Sequence, residues 1–387
     1  MKKEKKIVIL YLIFVFFSSF SLLEQFLSSF LTYLKLDLLT ISSLYLTFQI
    51  TKFIFEVPTG YIADKYGRKL SAILGMVLLL ISYLIFVSYE SHLFYISFFM
   101  KGVALTLLSG SIESIYIENI ESNNLVKYNI LERLVFYSSL SLAALIGGYI
   151  INTFSYKNII FLDILVSLIV ILVILLFKED KKKSKVVKNN ISAKECLGFI
   201  LNNNVLLYLL IIDFSNAFSF VAIENLYPAY LEKIGIEISL IGVFISIQLF
   251  FSALIGVFVP KLRVYISDKF LLYFLPFIRV LILFPIYLFN IPIFLIPILF
   301  TLQFIVFVLY APIKYSLFQN NISNKYRATL ISLSSQFIAF GAIGFYSFSS
   351  ILSLNFEINT IIISALCITF ILNIYSCFKL NEANALR

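Results

Sequence analysis

The chain has 387 residues, 61% hydrophobic and only 13% charged, with a net charge of +9. Soluble globular chains carry about 25% charged residues, so this composition excludes an ordinary water-soluble fold and points to the bilayer as solvent. The three cysteines, Cys196, Cys367 and Cys377, have no metal-ligand spacing and form no disulfide framework, and no nucleophile–base arrangement or phosphate-binding glycine loop marks an enzyme.

Apolar runs and their polar breaks predict twelve membrane-spanning helices, at 7–33, 40–62, 70–88, 92–117, 130–153, 158–177, 205–231, 238–260, 269–289, 291–319, 327–352 and 358–378. The first run follows MKKEKK, is longer than a signal-peptide core and lacks a small-residue cleavage site, so it reads as a retained span. His92 falls in a short polar turn at the start of span 4 and reads as a solvated loop residue. A lysine-rich linker, 178–204, divides a six-span bundle at 1–177 from a second at 205–387. At its end Ser192 and Glu195 form a capping box ahead of LGFIL, which predicts a short amphipathic helix on the inner membrane surface. Only FNIPI separates spans 9 and 10.

Of the 30 lysines and arginines, 23 lie on one side of this topology, three on the other (Lys35, Lys157 and Lys233) and four inside spans. That bias puts both termini in the cytoplasm of a plasma-membrane protein. It also assigns the positive net charge to anionic lipid headgroups rather than nucleic acid. The halves echo one another: NNLVKY at 123–128 recurs as NNISNKY at 320–326, and TYLKLDLLTISSL at 32–44 resembles AYLEKIGIEISLI at 229–241. Duplicated halves are a recurrent transporter architecture.

Between spans 2 and 3 stands EVPTGYIADKYGRKLS, an unusual concentration of charge and glycine for this chain. Its Gly60, Asp64, Lys65, Gly67, Arg68 and Lys69 resemble, position by position, the loop signature of the major facilitator superfamily. SGSIESIYIEN at 109–119 and KYRATLIS at 325–332 resemble the family's fourth span and the entry to its eleventh. The resemblance implies an all-α fold of twelve transmembrane helices in two pseudo-symmetric halves, working by alternating access. It further implies that Asp64 faces the eleventh helix, that Arg68 pairs with an acid at the end of span 4, here Glu118, and that the stretch is a conformational latch. In this reading Gly60 lets a helix end approach its neighbour closely, and Gly67 supplies a left-handed turn.

Charges inside the spans are functional candidates by default. The resemblance makes spans 1, 4, 7 and 10 line the cavity, and Glu24, Lys101, Glu113, Asp213, Glu224 and Lys314 all fall on those four. Glu24, Asp213 and Lys101 are the first candidates for substrate binding or proton coupling. Lys52 and Glu56, one helical turn apart, satisfy each other or face the cavity. Glu113 and Lys314 belong to an inner gate or reach toward the interface, and Arg279, on span 9, caps a local polar contact. Phe218, Phe220 and Tyr227 form either an adaptable aromatic wall or ordinary packing.

Span 5 reads AALIGGYI where antiporters of the family carry Gly-Pro-x-x-Gly-Gly, and Gly147 and Gly148 still permit close helix packing. The first functional expectation is a monomeric, proton-driven exporter of an amphipathic small molecule that needs no cofactor. The alternatives are a proton-coupled importer of an anionic or zwitterionic nutrient and a non-transporting membrane sensor.

Overall fold

The first apolar region is not one helix. In the computed structural model, which describes residues 2–120, 124–179, 193–262, 268–322 and 327–382, it is split into α1 (Lys2–Ser19), α2 (Leu22–Gln25) and α3 (Leu27–Tyr33). A chain that leaves a helix inside a membrane must find other partners for its backbone N–H groups. Here the Asp163 carboxylate supplies them, accepting from Leu22 N and Leu23 N at 2.8 Å each. The remaining helices are α4 (Leu38–Tyr66), α5 (Arg68–Val87), α6 (Phe94–Leu108), α7 (Ser111–Ile117), α8 (Leu125–Thr153) and α9 (Tyr156–Leu176). Then follow α10 (Ala193–Leu201), α11 (Asn204–Asn216), a π-helical turn at Ala217–Val221, α12 (Ala222–Lys233) and α13 (Ile238–Leu262). Finally come α14 (Asp268–Leu288), α15 (Leu295–Asn320), α16 (Arg327–Leu352) and α17 (Ile358–Glu382).

Eleven helical stretches among the described residues are long and apolar enough to cross a membrane. The broken region over α1–α3 is the twelfth of the expected set, and no strand occurs among the described residues. Span 4 is also interrupted, between α6 and α7, where Gly110 takes a left-handed φ of 65°. Ser192 of the expected capping box, the 323–326 part of the second-half repeat and most of the lysine linker lie outside the described residues, although α10 itself is present.

By packing, the chain divides into two compact units, residues 1–185 with 226–257, and residues 186–225 with 258–387. In the first unit α5 lies against α6 and α9, α4 against α6, and α1 against α8 and α9. Its core joins Val8, Tyr11 and Val15 to Ile112, Tyr116 and Ile174, with the Tyr11 and Tyr116 rings stacked at 3.8 Å. In the same unit α8 and α13 meet through glycine. A Cβ at Gly148 would lie 2.9 Å from the Gly242 Cα, and one at Gly242 would lie 2.6 Å from the Ala144 carbonyl oxygen. Ser141 Oγ and Ser246 Oγ bond across this seam at 2.8 Å. In the second unit α11 packs on α16 and α17, and α14 on α15 and α17, around Leu209, Leu272, Tyr310, Leu317 and Leu380.

The stretch expected as a loop between spans 2 and 3 is almost wholly helical. Helix α4 continues through Asp64 and Lys65 to Tyr66, and Gly67 alone separates it from α5. Gly67 has a φ of 111°, open to glycine and strained for other residues, as the turn demands. Gly60 differs from its expected role: it lies inside α4, and a Cβ there would meet nothing within 4 Å among the described residues.

Helix α4 begins with a side-chain cap, Asp37 accepting from Thr40 N at 2.9 Å. The Thr40 side chain first, and this backbone bond second, hold the exposed Asp37 carboxyl below its ordinary carboxylate range. A depressed carboxylate stabilises the fold above its ordinary pKa, and the contribution is lost as pH falls through the lowered value. Asp37→Ala should therefore cost about 1 kcal/mol at neutral pH. In pH-dependent unfolding of the purified protein, the gap between wild type and variant should close on acidification.

Candidate functional site

Six of the intramembrane charges form three ion pairs among the described residues, each joining helices of one unit. In the first unit Glu24, carried on α2 by the break in the first span, accepts from Lys101 Nζ of α6. Lys101 is 4% exposed. Its ammonium also lies 5.4 Å from the Phe48 ring centroid and 5.8 Å from that of Phe98, a setting in which aromatic faces add cation stabilisation. The Lys52 ammonium lies against the same Phe48 ring, also at 5.4 Å, and forms no ion pair among the described residues. Of the two alternatives for Lys52 and Glu56, the mutual bridge is not among the ion pairs of the described residues, although both side chains are half-buried on α4. Glu113 is exposed on α7 and belongs to no ion pair among the described residues.

The second unit holds two pairs. Asp213 on α11 accepts from Lys314 Nζ of α15 and, at 3.2 Å, from Ser334 Oγ of α16, so one carboxylate ties three helices. Lys314 is therefore engaged inside the bundle rather than extended to an interface. Glu224 on α12 accepts from Arg279 Nη2 of α14 at 2.6 Å. Arg279 is 5% exposed. Its Nε donates to Gln303 Oε1 at 2.9 Å, and its guanidinium lies 3.6 Å from the Phe220 ring and 4.6 Å from that of Phe307. Arg279 thus makes a polar contact, as expected, and makes it as one side of an ion pair. Its partner is one of the site candidates, on another helix. Of the aromatic residues considered on span 7, Phe218 packs against Phe214, Phe345 and Phe348, Phe220 carries the guanidinium, and Tyr227 is buried.

A third cluster surrounds the corner between α4 and α5. Arg68 Nη1 donates to Glu118 Oε1 at 2.5 Å. Lys69 Nζ donates to the carbonyls of Leu175 and Phe177, at 2.6 and 2.9 Å, where helix α9 ends with unpaired acceptors. Glu179 completes the exchange, accepting from Arg68 N at 2.7 Å and Lys69 N at 3.2 Å at the start of α5. Each helix end is thus satisfied by the other's charge, acid at an N-terminus and base at a C-terminus. Asp64 is exposed in the last turn of α4, and the Lys65 ammonium lies 5.4 and 5.2 Å from the Tyr61 and Tyr66 rings. The segment at 323–326, just ahead of the helix Asp64 is expected to face, lies outside the described residues.

Two acids of consequence escape the sequence reading. Asp163 had one available signal, as the only ionisable residue between 158 and 177. Glu179 had none, because it sits in a charged run whose members look alike. His92, by contrast, is where it was expected, with a side chain 72% exposed beside Glu90.

Eleven apolar spans with paired charges buried among them define a polytopic membrane protein of the carrier type. The chain belongs to the Major Facilitator Superfamily, whose family model matches residues 9–375. Among solved structures it is similar to a point mutant of the nucleoside transporter NupG, with a TM-score of 0.79 at 14% identity over 96% of this chain and 99% of that one. It is likewise similar to a D-xylose–proton symporter, with a TM-score of 0.72 at 13% identity over 96% of both chains. A bacterial homologue of the iron transporter ferroportin, in an inward-facing state, matches with a TM-score of 0.74 at 16% identity over 99% of both chains. A search of curated proteins gives no match. The fold is that of secondary transporters working by alternating access.

Proposed function

We propose that the chain is a proton-coupled secondary transporter of a small molecule bearing an anionic group. The observation that carries this reading is the pairing of a carboxylate on the first span of each half with a lysine on the fourth, Glu24 with Lys101 and Asp213 with Lys314. A carboxylate that takes up a proton gives up its hold on the ammonium. The ammonium, still buried, then needs another anion, and a substrate carboxylate or phosphate meets that need. Proton and anion therefore bind in the same state, which is the logic of symport. Export of an amphipathic molecule ranks first on sequence. The pairs favour the import alternative, and the solved symporter of similar fold fits it.

In the same proposal the corner formed by Asp64, Lys65, Gly67, Arg68, Lys69 and Glu118, without Gly60, is the latch of the alternating cycle, on the cytoplasmic side of the plasma membrane with both termini. The proton gradient drives the carrier without a cofactor, as a monomer. The test is purified protein in liposomes with an internal pH dye, offered panels of anionic, neutral and cationic solutes. Anion-dependent proton entry that Glu24→Gln or Asp213→Asn abolishes supports the proposal. Proton release in exchange for a cationic amphiphile would establish export instead. Solute movement unchanged in both variants would remove the pairs from the mechanism.

A further inference from the structure

The break in the first span is held by a residue of the sixth. Asp163 is 2% exposed, belongs to none of the ion pairs among the described residues, and spends both carboxylate oxygens on Leu22 N and Leu23 N. A buried carboxylate without a cation is costly, and a neutral side chain would cap a single N–H at less expense in desolvation. What the carboxylate adds is two parallel charge-assisted bonds, which fix the direction in which α2 leaves the break. The next residue is Glu24, whose carboxylate must meet Lys101 on α6. The charged or titratable groups facing Asp163 are Glu24 from α2, Lys101 from α6 and Tyr83 from α5, whose hydroxyl is bonded to Ser21 Oγ at 3.1 Å beside the break.

The second half repeats the arrangement with different chemistry. The displacement of 197 residues between the repeated segments carries Phe20, at the break, onto Ala217, the first residue of the π-helical turn. That irregularity is also held from the last span of its half. Thr369 Oγ1 donates to Ser215 O at 2.9 Å, and Asn373 Oδ1 accepts from Ser215 Oγ at 2.6 Å. In both halves, then, the sixth span anchors an irregular first span close to a charged candidate. Only the first half uses an acid for the purpose.

We propose that Asp163 is a positioning residue for the carrier site: by clamping Leu22 and Leu23 it sets the break between α1 and α2 and so delivers Glu24 to Lys101. The proposal rests on the reading of that pair as the coupling site, but its geometry is testable without transport. The first measurement is a double-variant cycle on thermal unfolding of the full chain in detergent. Glu24→Gln should lower the melting temperature of the wild type and add little in the Asp163→Asn background, because the pair is already displaced there. Asp213→Asn, in the other unit, should be additive with Asp163→Asn. Leu22→Pro provides a second route should Asp163→Asn not fold. It deletes one clamped N–H at the first position of α2, where proline's backbone is compatible with a helix start, and Ser21 ahead of it is extended, as a residue before proline prefers.

In the liposome assay both variants should reduce proton-coupled turnover roughly 10- to 100-fold, the scale on which a misplaced reacting group costs rate. Asp163→Glu should restore part of it. Full additivity of Asp163→Asn with Glu24→Gln would overturn the proposal. So would wild-type turnover in both Asp163→Asn and Leu22→Pro. If the wild type moves no solute but the cycle is non-additive, the transport reading falls and the positioning role stands.

Discussion

Arg279→Met should destabilise the protein by about 3 kcal/mol, near the lower end of the range for breaking one side of a buried pair. The loss has a definite source. Glu224 keeps its carboxylate on α12 with its strongest partner gone, and Gln303 loses the donor to its oxygen. The lower end applies because the Glu224 side chain is 31% exposed and regains some solvation. Replacing both partners, as in Arg279→Met with Glu224→Leu, should recover most of the stability, since a well-packed apolar pair needs no compensation. Chemical unfolding of the three purified proteins checks the order: wild type and double variant close together, single variant well below. A single variant as stable as wild type would mean that the guanidinium's stacking on Phe220 and its ion pair contribute nothing net.

The second large effect concerns the seam between α8 and α13. Gly242→Val should disrupt it more severely than a typical core change, with loss of well-folded material on extraction and a much lower melting temperature. The atoms in the way are backbone, the Ala144 carbonyl oxygen and the Gly148 Cα, so no rotamer change relieves the clash. The helices must separate, and separation strips the Ser141–Ser246 hydrogen bond as well. Even Gly242→Ala should cost about 1–3 kcal/mol, the usual penalty of overpacking a tight contact. Ser246→Ala, which removes the polar contact and leaves the spacing, should cost less than either, so ranking the three by thermal unfolding separates spacing from hydrogen bonding.

The all-helical fold was legible because bilayer spans announce themselves as long apolar runs, and the charge bias between loops needs no geometry. The broken first span was not. An apolar run of 27 residues, from 7 to 33, reads the same straight or split, since what splits it is a side chain more than 100 residues away. The candidates Glu24, Lys101, Asp213 and Lys314 were each visible as charges in the wrong solvent, yet their partnerships were invisible. Periodicity assigns a face to a residue within one helix and says nothing of which neighbouring helix meets it. Lys52 and Glu56 show the converse limit: their spacing left a mutual bridge and a cavity position both open, and among the described residues no bridge forms. Arg68 and Glu118 came together as expected because the resemblance supplied the pairing. Gly60 did not follow it, because the helix runs on through the position where a helix end was expected.

The joint between α4 and α5 is a single residue, Gly67, and the α5 side of it is pinned to the end of α9 by Glu179 and Lys69. Such a corner has no slack: any rotation of α4 about its own axis must be passed on as torque to α5 and α9 rather than absorbed by a loop. The stretch at 289–294 between α14 and α15 is built the other way, with Phe289, Ile293 and Phe294 exposed. An epitope tag spliced in at 290–292 finds chain that can yield, whereas the same tag beside Gly67 would pry apart three helices at once. Of these two joints the corner at Gly67 is the stiff one and the stretch at 289–294 the compliant one, and surgery on the chain is better tolerated at the second.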